Sequence, residues 1–242
     1  MDKITLFEGP IPQIGLKIRK PTKGPEWELV QNFVDYKVSS FNKRIHNLAI
    51  FIEPMLDTGF PDLVLVEYDA KSFDNWTDSR LSLQINDLKI FQHILHTGGT
   101  NSETIETQLG LESKYVLRSV EKLLDCGIIR RYARKWKVVN FRQNFGVRKI
   151  AAIEAKLNNW GTVFEQAQLN KWFSSESYVL SPVSRPSDRI LSQSEKLGIG
   201  IYSLNSKGVK KIMASKVEPF PSCYGSLLFN EWIGRRLRIS EG

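Results

Sequence analysis

The chain has 242 residues, of which 41% are hydrophobic and 25% are charged, and its formal net charge is +8. This composition is typical of a globular protein, and no apolar run approaches the ~18 residues that a membrane span needs. The first four residues lack the basic-then-apolar pattern of a secretion signal, and Cys126 and Cys223 fit no metal-ligand spacing. We therefore expect a cytoplasmic protein in a reducing compartment, without a membrane partner.

The positive charge is concentrated in one segment of the chain. Residues 110–150 contain eleven Lys or Arg and three Asp or Glu, so their surplus of eight equals that of the whole chain. Such a surplus is typical of a solvated basic face or of a phosphate-binding surface. Composition leaves both interpretations open.

The N-terminal region predicts an irregular arm followed by a helix. Pro and Gly dominate the arm, where one short strand is expected near residues 14–18. The basic residues of the arm, which are either solvated or in contact with a phosphate, are Lys17, Arg19, Lys20 and Lys23. The helix begins at Pro25, and its apolar stripe continues to about residue 44. The helix dipole alone favours the two acids of its first turn, Glu26 and Glu28.

Two apolar runs then predict neighbouring strands. Residues 48–52 and 63–68 are separated by a turn that contains Gly59. We expect an antiparallel pair, with Asp62 at the start of the second strand.

A polar segment at residues 69–82 is interpreted as a linker to a helical region. The predicted elements of that region are helices at 86–96, 102–109 and 113–126 and strands at 128–132 and 136–139. We expect Ser102 to cap the second helix and Leu117 and Leu124 to be buried in the third.

The order of these elements, from residue 86 to residue 139, resembles the winged helix-turn-helix family. The resemblance implies that the third helix enters the major groove of double-stranded DNA and that the hairpin contacts the DNA backbone. The implied contact residues are Lys114, Tyr115, Arg118 and Lys122 on the helix and Arg130, Arg131, Arg134, Lys135 and Lys137 on the hairpin. A winged helix that binds protein is the alternative, which the charge surplus disfavours.

The next apolar run, residues 150–156, predicts a buried strand that ends in Glu154 and Lys156. Side chains alternate along a strand, so these two point the same way. A carboxylate and an amine are costly at this position unless they form a charge pair or hold a metal ion. The remaining predicted elements are a helix at 162–173 with Leu169 buried, strands at 177–181 and 197–204, and a helix at 223–238.

Pro61-Asp62 followed by Glu154-Ala155-Lys156 resembles the signature of the PD-(D/E)XK, or restriction-endonuclease-like, nuclease superfamily. The resemblance implies that Asp62, Glu154 and the carbonyl of Ala155 bind Mg²⁺, for which Mn²⁺ may substitute. Lys156 would orient the attacking water or stabilise the phosphate in the transition state.

The resemblance implies two further catalytic positions. A glutamine on the helix after the signature helps to place the substrate, and Gln166 occupies that helix here. An acid of the first helix often completes the metal site. We assign this role to Glu28, and the alternatives that Glu26 or neither acid completes the site stay open.

We therefore predict a mixed α+β fold with a helix-flanked nuclease core, residues 1–70 and 141–242, and an inserted winged helix, residues 71–140. The predicted function is a Mg²⁺-dependent DNA endonuclease associated with the nucleoid. One alternative is an inactive DNA-binding regulator on a nuclease-like scaffold. Another is a nuclease subunit that cuts only with a partner, and cutting both strands is also consistent with a homodimer.

Overall fold

The computed structural model describes residues 3–42 and 46–241, which form two compact units. The first unit combines Met1–Tyr68 with Val147–Ser226, and the second combines Asp69–Gly146 with Leu227–Gly242. The second unit is thus built from a central insertion and the C-terminal segment.

The regular elements alternate along the chain. The strands are β1 (Ile4–Phe7), β2 (Asn47–Ile52), β3 (Leu63–Tyr68), β4 (Ile129–Tyr132), β5 (Lys135–Val138), β6 (Val147–Ala155), β7 (Glu176–Ser181), β8 (Gly200–Asn205) and β9 (Gly208–Met213). The helices are α1 (Pro25–Ser40), α2 (Ile85–His96), α3 (Ser102–Leu109), α4 (Ser113–Asp125), α5 (Phe141–Asn144), α6 (Trp160–Asn170), α7 (Asp188–Leu197) and α8 (Tyr224–Glu241). Short 3-10 helices occur at Pro12–Ile14, Ala70–Phe73 and Asp78–Ser82.

A seven-stranded mixed sheet forms the centre of the first unit, in the order β1-β2-β3-β6-β7-β8-β9. The pairs β1–β2, β6–β7 and β7–β8 are parallel, and the other neighbouring pairs are antiparallel. Alternation along β6 and β7 sends Ile153 and Tyr178 into the core beneath α1, whereas Val179 packs against α6. The predicted mixed sheet flanked by helices is therefore confirmed. The predicted antiparallel pair is confirmed as well, and Asp62 directly precedes its second strand.

In the second unit, α4 packs against both α2 and α3, and β4 and β5 form an antiparallel hairpin. Thr100 lies between α2 and α3 and extends this hairpin, because its amide and carbonyl bond to Trp136 at N–O distances of 3.1 and 2.7 Å. The predicted N-cap of α3 is wrong. Asn101 precedes Ser102, and its side chain accepts the Thr104 amide at 2.8 Å.

The interpretation of residues 69–82 as a linker is wrong. Phe73 and Trp76 are buried and in contact with each other, and both lie close to Gly234 of α8. Arg80 also forms a buried ion pair with Glu231, at 2.8 Å. These contacts explain why the C-terminal segment from Leu227 groups with the second unit, whereas the predicted boundaries joined it to the sheet.

Several element predictions differ from the structure. The first strand is β1 rather than residues 14–18, because Ile4–Phe7 pairs in parallel with β2. Neither α7 nor β9 was predicted, and β9, not β8, ends the sheet. The helix α1 ends at Ser40, and the predicted end near residue 44 lies outside the described residues.

Three leucines expected in the core are exposed. Leu117, Leu124 and Leu169 have exposed fractions of 49%, 36% and 56%. In α4 the buried stripe is instead Val116, Val120 and Leu123, with Ser119 also buried. Helical spacing therefore predicted the buried face of α4, but the predicted face also included Leu117 and Leu124, which are exposed.

No helix within the described ranges is both long and apolar enough to cross a membrane. Both cysteines are unpaired thiols, with Cys126 buried and Cys223 partly buried.

Candidate active site

Strand register brings Asp62 and Glu154 together. In the antiparallel pair of β3 and β6, Leu63 lies opposite Ile153, so the next position along each strand places Asp62 opposite Glu154. Directly opposite residues share one face of a sheet. The two acids are therefore neighbours, although a whole unit separates them along the chain.

The same register adds a third acid. Ile52 lies opposite Leu63 in the pair of β2 and β3, and the Glu53 amide donates to the Asp62 carbonyl at 3.2 Å. Glu53, Asp62 and Glu154 thus form a row of carboxyl groups across three neighbouring strands. Glu53 and Glu154 are 7% and 3% exposed, so this row lies at the buried end of the strands.

Hydrogen bonds hold the carboxyl groups of Asp62 and Glu154 in place. The Ala155 amide donates to Asp62 Oδ2 at 2.8 Å, and Asn170 Nδ2 donates to Glu154 Oε1 at 2.6 Å. Burial, reinforced by the charge of Asp62, raises the pKa of Glu154 well above its usual range. Burial also raises the pKa of Asp62, against the opposing effect of the Ala155 amide. A cation between these carboxyl groups would favour their ionised forms.

Lys156 follows the end of β6, and its Nζ atom donates to Glu26 Oε2 at 2.7 Å. Partial burial alone would lower the pKa of Lys156, but the hydrogen bond and charge of Glu26 outweigh it and raise this pKa. Lys156 is therefore a cation at neutral pH. This favours the stabilisation of negative charge over proton abstraction as its role.

Arg19 of the N-terminal arm lies beside Glu53. Its Nε atom donates to Glu53 Oε2, and its guanidinium group lies over the Phe60 ring, 5.0 Å from the centroid. Hydrogen bonds from the Arg19 amide to the Glu53 carbonyl and from the Met55 amide to the Lys17 carbonyl, 3.1 and 2.9 Å long, hold the arm in place. The Arg19 side chain is 52% exposed.

These residues line one cleft of about 620 Å³ in the first unit. Among the described residues, its charged side chains are Glu26, Glu53, Asp62, Glu154, Arg19 and Lys156. Four acids and two cations give the cleft an excess of formal negative charge, which suits a bound cation.

The helix α6 contributes two amides to the cleft, Gln166 and Asn170, which are one helical turn apart. Gln166 is exposed, whereas Asn170 is buried against Glu154. The predicted Gln166 therefore lies at the cleft, together with a second amide that sequence reasoning did not identify. Their i, i+4 spacing on one helix is the signal that could have indicated it.

Two predicted site residues lie elsewhere. Glu28 is exposed and is not among the described residues that line the cleft, where Glu26 is the acid from α1. The side chain of Ala155 is buried in the core beneath α1, and its amide is bonded to Asp62. Its predicted role concerns the carbonyl oxygen and stays a prediction.

The acids of the cleft are potential ligands of Mg²⁺. In the described part of the chain, no group of three or more His, Cys, Asp and Glu side chains is arranged to hold a metal ion. Mg²⁺, however, is usually held by one or two carboxylates together with water and phosphate oxygens. Asp62 and Glu154 provide such a pair, whereas Glu53 is engaged by Arg19. Two adjacent carboxyl groups with raised pKa values therefore fit a divalent cation that the substrate helps to bind.

In the second unit, most of the predicted DNA-contacting side chains are exposed. They are Lys114, Tyr115 and Arg118 on α4 and Arg130, Arg131, Arg134 and Lys135 on the hairpin. Lys137 is partly buried, with its Nζ atom 4.7 Å from the centroid of the Tyr132 ring. Lys122 differs, because it is bound to the buried Asp87 at 3.2 Å and thus stabilises the contact between α2 and α4.

Comparisons with protein-family models, with curated proteins and with solved structures found no match to this chain. The arrangement of side chains in the cleft and on the basic hairpin therefore carries the functional argument.

Proposed function

We propose that this protein is a DNA endonuclease that hydrolyses phosphodiester bonds with a divalent cation, Mg²⁺ or Mn²⁺. In this proposal the cleft of the first unit is a restriction-endonuclease-like active site, and the second unit is a winged helix that binds double-stranded DNA. The observation that carries it is the pair of Asp62 and Glu154 on adjacent strands, in one cleft with Lys156.

Each cleft residue has a chemical task in this proposal. Asp62 and Glu154 hold the cation, and Asn170 keeps the Glu154 carboxyl group in place. The bound cation would supply Lewis-acid activation of water and neutralisation of phosphate charge. Lys156, kept protonated by Glu26, stabilises the charge that develops on the phosphate. Arg19 and Gln166 bind the phosphate backbone on either side.

Three features support DNA binding by the second unit. The elements follow the order of a winged helix, and the Thr100–Trp136 bridge joins the hairpin to the segment between the first two helices. The tip of the hairpin exposes Arg131, Arg134 and Lys135. Among the described residues, Arg118 of α4 has no carboxylate partner, so its guanidinium group is available for a base or a phosphate.

A cleavage assay tests the proposal. Supercoiled plasmid is incubated with the protein and increasing Mg²⁺, and nicked and linear products are followed. Asp62→Ala, Glu154→Ala and Lys156→Ala should each lower the rate by about 10²–10⁴-fold and leave DNA affinity within about threefold. Glu28→Ala is the matched control and should cut as the parent does, because Glu28 lies outside the cleft.

An inactive DNA-binding scaffold is the second candidate function. It is favoured by the burial that raises the pKa values of Asp62 and Glu154, because protonated acids bind a cation poorly. A parent protein that binds duplex DNA but leaves it intact at all Mg²⁺ and Mn²⁺ concentrations would support this candidate. If the DNA also stays intact when a partner subunit is added, the inactive scaffold is favoured over a nuclease subunit that cuts only with a partner.

A further inference from the structure

A second, smaller cavity lies at the other end of the same sheet. Its volume is about 80 Å³, and its lining includes Glu67, near the end of β3, and Lys149, near the start of β6. Asp62 and Glu154 lie at the opposite ends of these strands. Lys37 also lines the cavity and follows Glu26 by eleven residues on α1, which corresponds to about 16 Å along the helix axis.

Lys37 is the least neutralised cation of this cavity. Its Nζ atom donates to the Tyr202 hydroxyl at 3.3 Å and lies 4.6, 5.1 and 5.8 Å from the ring centroids of Tyr202, Phe33 and Tyr36. Within the described ranges, no carboxylate pairs with it. An ammonium group held among rings in this way keeps donors available for an incoming acceptor.

The two acids of the cavity face other cations. Glu176 Oε2 accepts both Lys149 Nζ at 2.9 Å and the Tyr178 hydroxyl at 2.8 Å. Glu67 lies opposite Lys149 in the register of β3 and β6. Neither carboxylate forms an ion pair with Lys37, although the charges of both oppose the lowering of its pKa.

A third lysine approaches from the edge strand β9. Lys211 Nζ lies 5.6 and 5.4 Å from the ring centroids of Tyr178 and Tyr202. Burial, together with the charges of Lys211 and Lys149, lowers the pKa of Lys37 to about 8. The residues that line the cavity include two lysines and two glutamates, and the formal charge becomes +1 only when Lys211, which lies beside the cavity, is counted. A small anion would relieve the repulsion among the three lysines.

We propose that this lysine–tyrosine pocket, formed by Lys37, Lys149, Tyr178 and Tyr202 with Lys211 beside it, binds a small oxyanion. The ligand is inorganic phosphate or the terminal phosphate of a nucleotide. Water occupies ~30 Å³ per molecule in the liquid, so the cavity has room for two or three waters or one tetrahedral anion. The Tyr202 hydroxyl accepts from Lys37 and so orients this ammonium group in the pocket.

Chemical footprinting of the full chain in EDTA tests this site. The rate of Lys37 acylation by an amine-reactive ester is measured at pH 8 by peptide mass spectrometry, with inorganic phosphate, adenosine monophosphate or chloride at equal ionic strength. A bound anion raises the Lys37 pKa, and a rise of one unit lowers its free-amine fraction, and hence the rate, about fivefold. The exposed Lys210 is the internal control and should react at a constant rate.

The two phosphate probes distinguish the sources of the ligand. Protection by inorganic phosphate assigns a free anion, and protection by the nucleotide alone assigns a phosphate ester. An unchanged Lys37 rate with both probes at millimolar concentration would overturn the proposal, as would equal slowing of Lys37 and Lys210.

Thermal unfolding provides a second measurement. The protecting anion should raise the Tm of the parent and of Lys210→Gln in a saturable manner, and Lys37→Gln should lose most of this rise. Tyr202→Phe keeps the ring and removes the hydroxyl, so it should weaken the response several-fold. An equal rise in the parent, Lys37→Gln and Tyr202→Phe would place the anion elsewhere and refute this site.

Discussion

Asp62 and Glu154 lie directly opposite each other, one position beyond the pair formed by Leu63 and Ile153. Each carboxyl group has its own amide donor, from Ala155 and Asn170, and burial raises the pKa of both. Without a bound cation, the proximity of these two buried carboxyl groups therefore lowers the free energy of unfolding when they are ionised.

The first prediction concerns the pH dependence of stability. The folded-state pKa of Glu154 lies above its unfolded value, so the contribution of this group to stability is fully present below the unfolded pKa and is lost as pH rises through the folded one. Glu154→Gln removes this titration while keeping an acceptor for Asn170. In EDTA it should raise Tm at pH 8 and have little effect at pH 4, and each 1 kcal/mol gained corresponds to about 2–4 °C.

Thermal melts between pH 4 and pH 8 measure this difference. Glu28→Gln is the control, because Glu28 is exposed and is not among the described residues that line the cleft. A Tm gain for Glu154→Gln that is constant across the pH range would show that ionisation of Glu154 does not cause the loss of stability.

The second prediction concerns Asn170. Removal of a side chain that orients a metal ligand typically costs 10–100-fold in metal affinity or activity. Asn170→Ala should therefore raise the Mg²⁺ concentration for half-maximal cleavage by about that factor and leave DNA affinity unchanged. Gln168→Ala, an exposed change on the same helix, is the control. An unchanged Mg²⁺ requirement would limit Asn170 to a packing role.

The third prediction concerns Arg19. Its contacts with Glu53 and Phe60 orient the guanidinium group at the cleft. A charge-assisted hydrogen bond to phosphate is worth about 1.5–3 kcal/mol, so Arg19→Ala should lower kcat/KM about 10- to 100-fold. Arg19→Lys should recover only part of this loss, because a lysine lacks the planar fork. Lys20→Ala, a change at an exposed neighbour, should cut normally. Equal losses of kcat/KM in the Arg19 and Lys20 variants would indicate that the arm only attracts DNA through its overall positive charge.

The fourth prediction concerns the basic hairpin. If Arg130, Arg131 and Arg134 each neutralise one phosphate, their joint replacement by Ala should reduce the slope of log K against log salt by about 2.7. Duplex DNA affinity measured at several salt concentrations gives this slope. A variant with Lys196, Lys207 and Lys210 changed to Ala has the same loss of charge and should keep the slope. Equal slopes for the hairpin variant and the parent would remove the hairpin from the interface.

Much of the first unit was predictable because local patterns reflect local physics. The apolar runs of β2, β3 and β6 were found within one to three residues, since strands buried on both faces need continuous apolar side chains. The polar segment at residues 69–82 was misjudged, because Phe73, Trp76 and Arg80 are buried by contacts that sequence proximity does not reveal. The exposed Leu117 and Leu169 show the same limit, since a helical stripe does not specify its own width.

The sequence by itself determined that Glu154 and Lys156 end a buried strand, because side-chain alternation is a property of the backbone. Only the tertiary structure decided which acids join them. Glu53 enters the row through the register of β2 and β3, Glu26 rather than Glu28 reaches Lys156, and Arg19 comes from an arm without regular structure. These choices depend on strand register and on the packing of distant segments, which arise from many contacts across the sheet rather than from any local run of residues.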